Sequence, residues 1–88
     1  MLLVRHTEPG PVEIRAAEAV LGFAEPNTVT CFREVPTGSI RFEARSIAEE
    51  DLVRAHTIVL PPEQPLLWDI DHNEVLNGRA HAVLCGEG

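Results

Sequence analysis

The sequence predicts a small α+β domain, an antiparallel sheet carrying two helices, and three observations lead there. At 88 residues the chain can build one hydrophobic core and not two, so a single domain is expected over 1–88. Apolar residues recur at helical spacing between 11 and 23, and a capping-box pattern opens a second helix at Ser46. Elsewhere short stretches alternate apolar and polar residues between breaks rich in Pro and Gly, as half-buried strands do.

Leu2 to Arg5 reads as a first strand, closed by Thr7-Glu8-Pro9-Gly10-Pro11. Val12, Ala16, Val20 and Phe23 then share one helical face, with Pro11 suited to a first helical turn and Gly22 to an end, so a helix is expected over 11–23. Val29, Cys31 and Val35 alternate with polar neighbours, as do Ile40, Phe42 and Ala44, and Pro36-Thr37-Gly38-Ser39 between them suggests a β-hairpin. Ser46-Ile47-Ala48-Glu49 fits a capping box, with a short helix to about His56 that turns Ile47, Leu52 and Ala55 inward. Thr57 to Leu60 and Leu66 to Asp71 read as further strands, separated by Pro61-Pro62. Asn77-Gly78 is the favoured dipeptide of a two-residue type I′ turn, which predicts a C-terminal hairpin pairing 73–76 with 79–85. The resulting order, β-α-β-β-α-β plus a hairpin, is that of a ferredoxin-like sandwich. If 11–23 is extended instead, the alternative is a small β-barrel with one helix.

Composition narrows function by exclusion. A hydrophobic fraction of 44% with 24% charged residues belongs to a chain that folds unaided. The net charge is −7, and all 7 basic residues are Arg, so no basic stripe is available to displace counterions from phosphates and nucleic acid is not an expected partner. Without Lys there is no Schiff-base chemistry and no P-loop lysine. Arg-only usage fits a GC-rich coding sequence and a bacterial source. No run approaches membrane-spanning length and Met1-Leu-Leu-Val is followed at once by Arg5 and His6, so no membrane partner is expected and the expected compartment is the cytoplasm. Cys31 and Cys85 form no CxxC and are expected as reduced, buried core residues.

Three segments invite chemistry. Leu2-Leu-Val-Arg5-His6-Thr7-Glu8 resembles the strand-end signature of the histidine phosphatases, a resemblance that implies a phosphoryl-accepting His6 and a phosphate-clamping Arg5. It covers about eight residues; Thr7 stands where that family has glycine, no second arginine follows on the first helix at the place that family has one, and no distal strand ends in His-Gly. A strand with two polar residues at its exit accounts for the segment. Asp69-Ile-Asp71-His72-Asn73-Glu74 resembles a calcium loop, but Glu74 and Ala80 occupy the positions where an EF-hand needs Gly and a bidentate Glu.

In the hairpin about Asn77-Gly78, Glu74 pairs with His81 and His72 lies diagonally across, so His72, Glu74 and His81 become a candidate divalent transition-metal site of two imidazoles and a carboxylate. The competing account is a solvated Glu74–His81 ion pair with no cofactor. Trp68, with Leu66 and Leu67, forms the most apolar stretch lacking a helical cover, and these three are the candidate interface residues if they are not core. No nucleophile–base pair or Gly-rich phosphate loop appears. The expectation is therefore a non-catalytic binding or regulatory domain acting through self-association or a protein partner; the alternative is a metal-binding protein or small metalloenzyme built on His72, Glu74 and His81.

Overall fold

The computed structural model describes residues 1–85 and contains two four-stranded sheets. The strands are β1 (Leu2–Arg5), β2 (Val12–Ala16), β3 (Ala19–Ala24), β4 (Val29–Phe32), β5 (Gly38–Ser46), β6 (Leu52–Leu60), β7 (Leu66–Asp69) and β8 (Glu74–Asn77). A short helix, α1 (Arg79–Ala82), continues into a 3₁₀ turn, Val83–Cys85. Sheet I has the order β4-β1-β7-β8 and sheet II the order β3-β2-β5-β6. β1 and β7 run parallel; every other pairing is antiparallel.

The α+β expectation is overturned, since 53% of the described residues are strand and 8% helical. The first predicted helix is the β2–β3 hairpin. Val12 and Ala16 fit both periods, whereas Val20 and Phe23 lie exposed on β3, and Ile14, buried with Val12 and Ala16 while Glu13 and Arg15 point outward, is the residue that the strand period explains and the helical one does not. The second predicted helix, from Ser46 to about His56, is the turn into β6 and the first part of β6; Thr57 to Leu60, read as a strand, is the rest of it. Ser46 does make its capping bond, accepting from the Glu49 amide at 3.3 Å. Ser46 N–H donating to Asp51 and Glu50 N–H donating to Ser46 then close a hairpin loop, with Glu50 at φ 56°. A serine cap is an equally good turn former, and the β-branched run that follows decides for strand.

Both predicted hairpins are re-paired. β4 lies in sheet I beside β1, whereas β5 lies in sheet II between β2 and β6, so Pro36 to Ser39 carry the chain from one sheet to the other. At the C-terminus β8 turns back on β7, with Asp69 opposite Glu74, through residues 70–73. Asn73 takes φ 53° there and its amide donates to Ile70 O at 3.1 Å. Gly78 instead leads into α1. A Cβ on it would stand 3.0 Å from the Leu66 carbonyl carbon and 3.1 Å from the Leu67 nitrogen, so a larger residue would press on the β7 backbone and glycine lets the chain approach this closely.

The core lies between the sheets. Leu2, Val4, Phe32 and Trp68 enter it from sheet I, and Val12, Ile14, Ala16, Ala24, Phe42, Ala44, Ile58 and Leu60 from sheet II. Each of the larger side chains contributes roughly 2 to 3 kcal/mol by leaving water. β3 packs beside β4, which closes one side of the sandwich. On the other side Arg54 of β6 donates to the carbonyl oxygens of Ile70 and Asp71 at 3.1 and 3.3 Å, which ties β6 to the β7–β8 turn.

Candidate interaction surface

The polar residues nearest to a reaction centre gather where β1 and β7 end side by side. Arg5 donates to Asp69 at 2.8 Å across the parallel pair, and His72 donates to the same carboxylate from Nδ1 at 3.2 Å and from its amide at 3.4 Å. Burial alone would raise the pKa of Asp69, but the hydrogen bonds from Arg5 and His72 outweigh it and hold the carboxyl below its ordinary range. Asp71 accepts from the Thr7 amide and hydroxyl at 3.2 and 2.7 Å, and Trp68 Nε1 donates to Asn73 at 3.2 Å. The Arg5–Asp69 bond joins the ends of β1 and β7 and the others tie this end of the sheet to the 70–73 turn, so the cluster fixes a corner of the fold.

His6 is spent in the same way. Its ring is fully buried, Nε2–H donates to Ala24 O at 2.7 Å, and the Glu8 amide donates to Nδ1 at 3.1 Å. An amide can only donate, so the ring proton belongs on Nε2 and both nitrogens are engaged. The phosphoryl-accepting role implied for His6 has no lone pair exposed to a substrate here.

The three candidate metal ligands stand on different elements. His72 lies exposed in the β7–β8 turn against Asp69, Glu74 opens β8 opposite Asp69, and His81 is on α1, half-buried, with Nδ1 enclosed and without a hydrogen-bond partner. The strand that was to bring Glu74 opposite His81 is a helix. Among the described residues no group of three or more His, Cys, Asp or Glu side chains is placed to hold one metal ion. The candidate interface residues divide otherwise: Trp68 and Leu67 are fully buried within the chain and Leu66 is half-buried against the core, so Trp68 and Leu67 present no surface.

What the surface does present is an unfinished sheet edge. Of the four edge strands, β3 and β4 cover one another and β8 is four residues long. β6 is nine residues long, and among the described residues no backbone hydrogen bond from outside the sheets reaches 53–60. Proteins protect such edges with Pro, Lys or inward charges. Here Arg54 is the sole charge, and Ala-His-Thr-Ile-Val-Leu from 55 to 60 has none. Val59 is 69% exposed, with Thr57 and Leu52 also exposed.

The outer face of sheet II beside this edge is a charge ladder. The register sets Glu13 opposite Arg45 and Arg15 opposite Glu43, and ion pairs join Arg15 to Glu13 at 2.7 Å, Arg41 to Glu43 at 3.3 Å and Arg45 to Glu43 at 3.4 Å. Exposed pairs of this kind contribute about 0 to 1 kcal/mol each, and their effect is to keep that face solvated. A shallow groove of about 380 Å³ beside the ladder is lined by Glu13, Arg15, Arg45, Ser46, Ile47 and Glu50, and its guanidinium groups already face carboxylates. The β-branched run Thr57-Ile58-Val59 marks the second half of this strand in the sequence, but the helical reading of the residues before it hides its length.

No protein-family model, curated protein sequence or solved structure matches the chain.

Proposed function

We propose that the chain is a non-catalytic binding module that acts by strand addition at β6, with a second copy of itself as the occupant. The observation that carries this reading is the nine-residue open edge with one charge, a surface that attracts another strand unless one already covers it. An antiparallel pair of β6 strands centred on Thr57 sets Thr57 opposite Thr57 of the second copy, Ala55 opposite Val59 and Arg54 opposite Leu60. No like charges meet, and threonine opposite threonine is a favourable cross-strand pair. Joining two sheets II in this way removes the edge from both copies, which suits a chain of 88 residues whose own core is small.

The cytoplasm is part of the proposal. No helix among the described residues is long and apolar enough to cross a membrane. In a reducing compartment the Cys31–Cys85 bond would be one that forms and breaks.

Sedimentation velocity from low micromolar to near-millimolar protein tests the reading, with Val59→Lys as the edge-blocked variant. The expected result is a concentration-dependent dimer that Val59→Lys loses while its far-UV circular dichroism stays that of the parent. A parent that remains monomeric throughout overturns it.

A further inference from the structure

We propose that the Cys31–Cys85 disulfide is a thiol-exchange site that latches a strap across the outer face of sheet I. The register gives that face a row running Leu76, Leu67, Leu3, Cys31 across β8, β7, β1 and β4. Leu3 and Leu67 are fully buried although they are not part of the core between the sheets, so something covers them from outside.

The cover is the segment from Gly78 to Cys85. It starts at Gly78, seated against the backbone of Leu66 and Leu67 on β7, where its amide donates to Pro65 O at 2.9 Å. It ends at Cys85, bonded to Cys31 on β4 with a Cα–Cα distance of 6.0 Å. From β7 to β4 is two strand spacings, about 10 Å. A four-residue α segment followed by three 3₁₀ residues rises about 12 Å. The strap is therefore the right length to cross β1 and lie over Leu3.

Its far end is anchored on β4 by the covalent bond and by Arg33. A seven-residue helical segment is too short to be stable alone. α1 has no side-chain cap and no fully buried residue, and Val83 and Leu84 are 71% and 73% exposed. The interactions at that end include a 2.9 Å hydrogen bond from Arg33 Nη2 to Cys85 O.

The exchange is carried by an external dithiol. Its thiolate attacks one cystine sulfur and the other cysteine leaves as thiolate. The second thiol of the reductant then resolves the mixed disulfide. Two electrons and two protons end on Cys31 and Cys85, and the reductant leaves as its own disulfide. The strap is freed, and Leu3 and Leu67 join Leu76, already exposed on β8, in an apolar row open to solvent.

Trypsin cleavage after Arg79, which is exposed on the strap, reports the latch, read by mass spectrometry of the 80–88 fragment after every sample has been quenched and then fully reduced, since Cys85 otherwise keeps the fragment attached. Cleavage is expected to be about tenfold faster or more in protein reduced with dithiothreitol and in Cys85→Ser than in oxidised protein, with the β-type circular dichroism kept. Equal rates in the three forms overturn the proposal. So does loss of the β signal on reduction, which would make the bond a staple of the whole fold, and so do two free thiols in protein purified and oxidised in air.

Discussion

His6 donates from Nε2 to the carbonyl oxygen of Ala24 at 2.7 Å, and so a side chain at the exit of β1 in sheet I is bonded to the last residue of β3 in sheet II. With the Glu8 amide on its other nitrogen and the Asn27 amide on its own carbonyl at 2.8 Å, His6 is the polar pin of the closed side of the sandwich.

Replacing His6 by Ala leaves the Ala24 carbonyl and the Glu8 amide without these partners and opens a void in a fully buried position. The expected loss is about 2 to 5 kcal/mol in urea unfolding. A loss below about 1 kcal/mol would show that the two bonds do not hold the corner.

Asp69 gives the fold a dependence on acid. Its carboxyl is held below the ordinary range in the folded chain, so its contribution is fully present above the unfolded value, about pH 4, and fades as pH falls through the lower folded value. Asp69→Asn is expected to cost about 1 to 2 kcal/mol at pH 7, because Arg5 and His72 lose a charged acceptor. The difference between parent and variant should shrink as the pH falls from 4 to 2. A difference that stays constant with pH would place the effect in packing and not in charge.

Ala17 sits at φ 56° in the tight turn between β2 and β3, where Ala16 pairs with Ala19. A side chain in that region costs about 1 to 2 kcal/mol, and glycine carries no such penalty but is looser when unfolded. Ala17→Gly is therefore expected to stabilise by about 0.5 to 1 kcal/mol, read as a rise in melting temperature. A fall in melting temperature would contradict the strain argument.

The strands whose side chains separate cleanly by period were legible in the sequence. Ile40, Phe42 and Ala44 against Arg41 and Glu43 marked β5, and Leu2 to Arg5 marked β1. Pairing was not legible, because alternation says which face a residue takes and nothing about which strand lies beside it. Two unbroken apolar runs did carry more than was read from them. Leu2-Leu3-Val4 and Leu66-Leu67-Trp68 do not alternate, which is what strands covered on both faces look like. The second cover was hidden because Asn77-Gly78, a strong hairpin signal, precedes it; here Gly78 is needed for its close approach to Leu66 and not for a turn. The cysteines, 54 residues apart, gave no hint that Leu3 beside Cys31 would need a lid.

At the candidate site, the side chains with the most chemistry to offer are ones that the fold uses for itself. Arg5, His6, Asp69, Asp71 and Asn73 all bond across elements. The edge of β6 could not be recognised until Ser46 was seen to cap a turn, because a strand is an edge only by virtue of what fails to pair with it.

Hydrogen–deuterium exchange of the peptide spanning 52–60, measured at low and high protein concentration, interrogates that edge at the level of its own amides. Association through β6 predicts that its outward-facing amides slow by about tenfold or more at high concentration while those of β8 do not change. Exchange in 52–60 that is fast and the same at both concentrations would contradict it.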